Sequence, residues 1–147
     1  MVAPLPTARL VQVLDVRDAA AFAVLCAQDS LGGVWNLNGE VVPMNDLFTA
    51  IHATTSSKGE IRWIFPDAFA APEANPWTDV PLMAPDIPAL RYFLEVDVSR
   101  ARAAGLFARP LMETLVPLVE WDRTRRDVKL ICGMNAKQEK RVLEEVC

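Results

Sequence analysis

Two carboxylates stand early in the chain, where an apolar segment gives way to an alanine-rich one. Asp15 and Asp18 flank this point. A carboxylate at the end of a strand can contact a substrate, but it can equally accept hydrogen bonds from the first N–H groups of a helix. No nucleophile or phosphate-binding loop accompanies them in the sequence. The residues therefore leave substrate binding and helix capping open, and they do not predict a catalytic base.

A second group of candidate site residues lies in and directly after a proline-rich segment. Its members combine apolar, acidic, basic and aromatic side chains: Trp77, Asp79, Met83, Arg91 and Tyr92. The first three could line the cleft of a small-molecule ligand, and the last two could bind an anionic group. The alternative is that these side chains only pack a long loop against the rest of the chain.

The composition disfavours metal, nucleic-acid and membrane partners. One histidine, His52, cannot form a zinc site with scattered cysteines. The three cysteines form no close pair, which favours a reducing, cytoplasmic compartment. Basic residues near the C-terminal end alternate with acidic ones, and the net charge is -4, which is typical of solvated helix faces. No apolar run reaches the roughly 18 residues that a membrane helix needs.

The first part of the chain alternates between strand-like and helix-like patterns. The apolar runs predict strands at 10–16, 34–38 and 61–65, and the intervening segments predict helices from Arg17 to the Gly32-Gly33 pair and from an Asn45 cap to Thr55. Small residues in the first helix, among them Ala20, Ala23 and Ala27, permit close contact with a sheet. This order is typical of α/β layers with partly parallel strands.

Residues 66–90 hold six of the eleven prolines. Proline at this density forbids a continuous helix or a central strand. The segment nevertheless carries apolar side chains that can be buried, such as Phe69, Leu82 and Met83. We therefore predict an ordered flap over residues 65–91 rather than a linker.

The remaining sequence predicts one strand and three helices. The strand covers 91–96, and Asp97 caps a helix that runs through Ala104 to Gly105. Pro110 opens the next helix, in which Pro117 predicts a kink or a late start near Glu113. The last helix begins with a capping box formed by Asn135 and Gln138. The whole chain, 1–147, is thus predicted to be a single α/β domain with a few mixed strands and about five helices.

Four segments carry a resemblance to a known family. They read QVLDVRDAA (12–20), GVWNLNG (33–39), VDVSRARAAGL (96–106) and RPLMETL (109–115), the last running on to Glu120-Trp121. In this order and at this spacing they resemble the later half of the extended short-chain dehydrogenases/reductases, the NAD-dependent epimerase/dehydratase family. The resemblance implies an incomplete Rossmann-like fold, the substrate-side portion of such an enzyme. The first segment and Pro76-Trp77 look more like reductases of unassigned substrate than like nucleotide-sugar epimerases.

The family's catalytic features are absent from this sequence. A glycine-rich turn should hold NAD or NADP, but the six glycines form no such motif. The family also uses a tyrosine with a lysine four residues later, whereas the single tyrosine, Tyr92, is followed at that distance by Val96. We therefore expect a substrate-recognition portion that binds no cofactor alone and is not catalytic by itself. The alternative is a non-catalytic binding or oligomerisation module derived from the family.

The same resemblance predicts a partner. Strands that normally pair with the nucleotide-binding half would leave an open sheet edge and an uncovered apolar face on the first helix. Such edges favour pairing with another chain. We expect either a homodimer or a partner that carries the Rossmann half.

Overall fold

The computed structural model describes residues 1–70, 73–84, 87–90, 92–125, 127–128 and 131–145. In this part of the chain, five α-helices and four strands of three residues form a mixed α/β arrangement. The predicted α/β class and the number of helices are confirmed. Arg91, one of the candidate site residues, lies outside the described residues.

The strands form two small sheets among the described residues. Strand β1 (Val2–Pro4) pairs in parallel with β4 (Arg62–Ile64), and β2 (Leu10–Gln12) pairs antiparallel with β3 (Val41–Pro43). The strands at 10–16 and 61–65 were predicted, although both are shorter than expected. Strands β1 and β3 were not predicted, because three-residue strands carry almost no periodic signal. Two-stranded sheets are marginally stable by themselves, so contacts with helices and loops must hold them.

Helix α1 (Val16–Gln28) is capped by Asp15, which is one of the two roles that the sequence left open for this residue. It ends earlier than the predicted Gly32-Gly33 stop. Ser30 adopts the left-handed backbone (φ 54°), and the Leu31 N–H donates to the carbonyl of Cys26 at 2.9 Å. A serine therefore supplies the turn for which a glycine was expected.

The strand predicted at 34–38 is wrong, because this segment has no regular secondary structure. Within the described residues, its backbone makes no hydrogen bond to another backbone group. Exposure still alternates as in a strand: Val34 and Asn36 are exposed, whereas Trp35 and Leu37 are half-buried. The sequence pattern of a strand is thus present without a strand to pair with.

Helix α2 (Met44–Thr55) begins one residue before the predicted Asn45 cap and ends at Ser56, whose φ is 54°. Its inner side buries Met44 and Leu47 against Val11 of β2. Helix α2 also contacts helix α4 (Leu111–Arg123), which closes this side of the molecule.

The strand predicted at 91–96 is also wrong. Turn bonds replace it over the described residues, with the N–H groups of Phe93 and Glu95 donating to carbonyls three residues earlier at 3.0 Å. Helix α3 (Ser99–Ala103) follows. Its N-cap is Val98, one residue after the predicted Asp97, whose side chain accepts from the Ser99 N–H at 2.9 Å. Gly105 ends it with a φ of 103°.

The last two helices follow their proline and capping signals. Helix α4 begins directly after Pro110 and includes Pro117, so the predicted late start near Glu113 is wrong. Helix α5 (Ala136–Glu145) has the predicted capping box, in which the Asn135 N–H donates to Gln138 Oε1 and the Gln138 N–H donates to Asn135 Oδ1, both at 3.0 Å. No helix in the described part of the chain is long and apolar enough to cross a membrane.

Three apolar clusters hold these elements together. The flap contributes Phe69, Val80 and Met83 to the first cluster, which also contains Val2 and the fully buried Val142 of α5. The second cluster joins α1 to α3, and the third joins β2 to α2. The proline-rich segment is therefore tied to the core by its buried side chains.

Candidate functional site

Asp15 is held by Arg17 at the start of α1. Asp15 Oδ1 accepts from the backbone N–H and the Nε of Arg17 at 2.8 and 2.9 Å, and Oδ2 accepts from Nη2 at 2.6 Å. The Asp15 side chain is 5% exposed. The hydrogen bonds from Arg17 hold the pKa of the Asp15 carboxyl well below its usual range, although burial opposes this. Asp15 is therefore an ionised helix cap.

Asp18 is held by Arg109, which lies 91 residues later in the chain. The Arg109 backbone N–H donates to Asp18 Oδ2 at 2.9 Å, while its Nε and Nη2 donate to Oδ1 at 2.8 and 2.6 Å. Arg109 Nε also lies 3.6 Å from Asp15 Oδ2. Side-chain hydrogen bonds from Arg109 lower the pKa of Asp18. Two buried carboxylates are thus neutralised by two guanidinium groups, which connect the start of α1 to the segment before α4.

Gln12 makes a second long-range connection. Its Nε2 donates to the carbonyls of Gly39 and Val96 at 3.3 and 3.2 Å, and its Oε1 accepts from the Val96 N–H at 2.7 Å and from Asn38 Nδ2 at 3.3 Å. Gln12 is 6% exposed. The backbone passes so close to Gly39 that a Cβ atom there would lie 1.9 Å from the Val13 carbonyl oxygen. No other residue can replace Gly39 without a shift of the backbone.

We call Gln12, Asp15, Asp18, Arg17 and Arg109 the polar frame. Sequence reasoning named only its two aspartates as candidate site residues. A glutamine within an apolar run was the available signal for Gln12, because a buried amide must find partners. Nothing local indicated that Arg109 would pair with Asp18.

An open groove of about 510 Å³ lies beside the frame, between the start of α1 and α4. Asp15 and Arg17 form part of its wall, and the rest is mostly apolar, with Leu118 and Trp121 on α4. Arg17 Nη2 spans the groove's edge to the carbonyl of Glu113 at 2.8 Å. Because Asp15 and Arg17 bind each other, this groove offers few polar groups that are free to bind a ligand.

A second cavity, of about 330 Å³, lies beneath the flap, and we call it the flap cleft. Its walls come from β1, α2, the flap and the segment that leads into α5: Val2, Pro4, Phe48, Ile51, Asp79, Val80, Pro81, Leu82, Met134 and Glu139 contribute, with Met1 and Gly133. Most of these are apolar, while Asp79 and Glu139 supply carboxylates. An apolar cavity with a few polar groups is the usual form of a small-molecule site.

Asp79 fixes the shape of the flap at this cleft. Its Oδ2 accepts from the N–H and Nδ2 of Asn75 at 2.9 and 3.1 Å, and from Nε2 of Gln138 at 3.4 Å. The Gly133 N–H donates to the Thr78 carbonyl at 2.7 Å. The backbones of Trp77 and Leu82 are left-handed, with φ of 71° and 64°. The flap is thus held in a conformation that residues with a Cβ rarely adopt.

Of the predicted site residues that the structure describes, only Asp15 and Asp79 line these two cavities. Asp15 faces the α1–α4 groove, whereas Asp79 is in the wall of the flap cleft. Met83 is 5% exposed and lies in the core. Trp77 packs edge-on against Phe93, with 5.1 Å between ring centroids, and both Trp77 and Tyr92 are exposed.

Helix α1 and the segment that follows it leave apolar surface uncovered. Five residues at helical spacing are exposed along the outer side of α1: Val16, Ala20, Ala23, Val24 and Ala27. Val34 is 86% exposed, at the start of the unpaired 34–38 segment. Of the small residues that predicted contact with a sheet, Ala20, Ala23 and Ala27 are therefore exposed, whereas Ala19 is half-buried.

No protein-family model, curated protein or solved structure matches the chain. Among the described residues, no group of three or more histidine, cysteine, aspartate or glutamate side chains is arranged to hold a metal ion. Function must therefore be argued from the frame, the flap cleft and the uncovered surface.

Proposed function

We propose that this chain is the substrate-recognition portion of an NAD(P)-dependent reductase or epimerase, and that it acts together with a nucleotide-binding half. The polar frame carries the proposal. Gln12 and Asp18 bond to residues 84 and 91 positions away, and these bonds connect the four segments that resemble extended short-chain dehydrogenases. The four segments, each of which resembles the family only weakly, are distant in sequence but joined by these hydrogen bonds.

The unpaired segment at 34–38 supports the need for a second half. Its strand-like alternation and its lack of backbone partners in the described chain favour the edge of a larger sheet. Parallel sheets of α/β enzymes are covered by helices, and the Phe22 side of α1 already packs edge-on against Trp35, with 5.6 Å between ring centroids. A strand supplied by the nucleotide-binding half would complete this layer in a Rossmann-like manner.

In this proposal the nicotinamide cofactor binds to the other half. In dinucleotide-binding folds, the pyrophosphate lies at a glycine-rich turn before a helix N-terminus. No glycine-rich turn precedes α1, and the Arg17 N–H at its start already donates to the Asp15 side chain. In the proposed enzyme the other half binds the cofactor, and the flap cleft of this chain is the substrate-binding site. A cytoplasmic location is part of the same proposal.

The deciding experiment is a titration of the purified chain with NADPH and NADH, followed by fluorescence of its four tryptophans. We expect no saturable change with either nucleotide. Saturable binding at micromolar concentration would show a nucleotide site on this chain and overturn the proposal. The mass in solution, measured on the same sample, identifies any self-association that could mask the surface.

The exposed apolar stripe of α1 favours one alternative, a non-catalytic binding or oligomerisation module. Val16 and Val24 are 78% and 58% exposed, and two copies could cover these residues mutually. A stable dimer that remains unchanged when a nucleotide-binding half is added would favour this alternative. A monomer, or a dimer that the half displaces, would favour the enzyme portion.

A further inference from the structure

The charged groups of the flap cleft are mostly acidic. Its described wall residues include two carboxylates, Asp79 and Glu139, and no arginine or lysine. The Met1 amino group lies 3.6 Å from Glu139 Oε1 and balances part of this charge. The hydrogen bonds that Asp79 accepts within the described chain go to Oδ2. Oδ1 is left to accept a hydrogen bond from a ligand.

The apolar part of the cleft is built from separate elements. Ile51 and Phe48 belong to α2, Val2 to β1, and Leu82 to the flap. The volume of about 330 Å³ is within the range of small-molecule sites, which is about 300–1,000 Å³. Most of the surface that a ligand would meet is therefore hydrocarbon.

The backbone of the flap holds this wall of the cleft in a defined conformation. Leu82 lines the cleft with a left-handed backbone, and Trp77 has the same unusual conformation five residues earlier. Such conformations cost free energy and cluster at ligand-binding segments, where surrounding contacts maintain them. Here the contacts of Asp79 with Asn75 and Gln138 supply that support.

We infer that the flap cleft binds a small, largely apolar molecule whose polar end donates a hydrogen bond, either an ammonium or a hydroxyl group. This inference rests on the proposed function, since it names the substrate class for the cleft of that proposal. Carboxylates and phosphates are disfavoured, because they would face two carboxylates, Asp79 and Glu139, while the one cation in the described wall, the Met1 amino group, already lies beside Glu139. Nucleotide sugars, whose diphosphate is anionic, are disfavoured for the same reason.

Three probes with a common phenyl body test the inference: 2-phenylethylamine, 2-phenylethanol and 3-phenylpropanoate. Binding is followed by NMR of methyl groups in the purified full chain. We expect the amine, the alcohol or both to shift the methyl signals of Ile51 and Leu82 saturably. The carboxylate should not shift them at the same concentration. The Leu118 methyls, in the larger α1–α4 groove, report non-specific binding.

Two variants separate the polar contact from the apolar one. Asp79→Asn keeps the side-chain shape, and we expect it to weaken the amine about five-fold, the scale of a partly exposed ion pair. If the Asp79 variant does not fold, Glu139→Gln removes the other negative charge of the cleft wall and replaces that variant in the test. Asp122→Asn, at an exposed position on α4, is the matched control and should leave the amine unaffected.

Four results would overturn the inference: equal binding of the carboxylate, saturation at Leu118 in place of Leu82, no shift with any probe, or unchanged amine affinity when the cleft carboxylates are replaced. A shift with the alcohol but not the amine assigns the donor as a hydroxyl group. No nucleotide takes part in these measurements. The ligand class and the enzyme proposal can therefore fail separately.

Discussion

Asp15 and Asp18, which the sequence offered as substrate contacts or helix caps, both take part in the polar frame of the described chain. Asp15 and Asp18 are nearly fully buried, and each is bound by an arginine through two side-chain hydrogen bonds. A buried carboxylate is tolerated when it is paired in this way. The hydrogen bonds that these two carboxylates accept hold α1 in place.

Replacing Asp18 with asparagine should destabilise the fold. The substitution removes the charge that Arg109 requires, and a hydrogen bond to a charged group contributes about 1.5–3 kcal/mol. We expect the free energy of unfolding at pH 7 to fall by about 2 kcal/mol, measured by urea denaturation. Asp29→Asn, at an exposed position, is the control and should have little effect. Equal losses for the two variants would contradict the role of the pair.

The same pair predicts a pH dependence. The pKa of Asp18 is lowered in the folded protein, so its stabilisation is fully present above the unfolded value of about 3.9 and is lost as the pH falls through the folded value. The difference between wild type and Asp18→Asn should therefore be constant above about pH 5 and should shrink below about pH 4. A difference that grows on acidification would contradict this sign.

At the scale of elements, local signals were sufficient for helices and insufficient for strands. The capping box of α5 and the proline before α4 specify helix starts within a few residues. Strands need partners, and β1 finds its partner β4 about sixty residues later. The segments at 34–38 and 91–96 have the composition of strands without such a partner in the described chain. Asp79 could be named from sequence, but the cleft it lines depends on contacts among four separate elements.

The cap of α5 offers a test at this scale. Asn135→Ala removes the side-chain oxygen that accepts from the N–H groups of Lys137 and Gln138, both at 3.0 Å. We expect a loss of about 1 kcal/mol in unfolding free energy, measured by urea denaturation. Lys140→Ala removes only an exposed ion pair with Glu144 and should cost much less. Similar costs for the two variants would argue against the cap.

At the scale of the whole molecule, the chain is a packed core with uncovered apolar surface on and after α1. The predicted single domain, 1–147, and the predicted partner both remain predictions. The incomplete sheet was implied by the resemblance to extended short-chain dehydrogenases, and it also remains a prediction. The sequence could not indicate which backbone groups would be unpaired, because that depends on the fold of the rest of the chain.

Pairing at the 34–38 segment can be tested by removing a single N–H group. Asn36→Pro should abolish or strongly weaken association with a nucleotide-binding half, because proline cannot donate a ladder hydrogen bond. Asn36→Ala is the matched control: it loses the side-chain bond to the Asp97 carbonyl but keeps the backbone N–H. Analytical ultracentrifugation of each variant with the half gives the affinities. If Asn36→Ala is as harmful as Asn36→Pro, the segment does not act through its backbone.

The long reach of the polar frame also has a consequence for folding kinetics. The frame cannot form until Arg109 is available to bond with Asp18 and Val96 is available to bond with Gln12. Contacts between residues so far apart raise the contact order and slow folding relative to a helical protein of equal size. During synthesis, Asp18 therefore lacks its Arg109 partner until most of the chain has emerged from the ribosome, whereas the partner of Asp15, Arg17, follows two residues later. The frame closes late, and its closure joins the early and late halves of the chain.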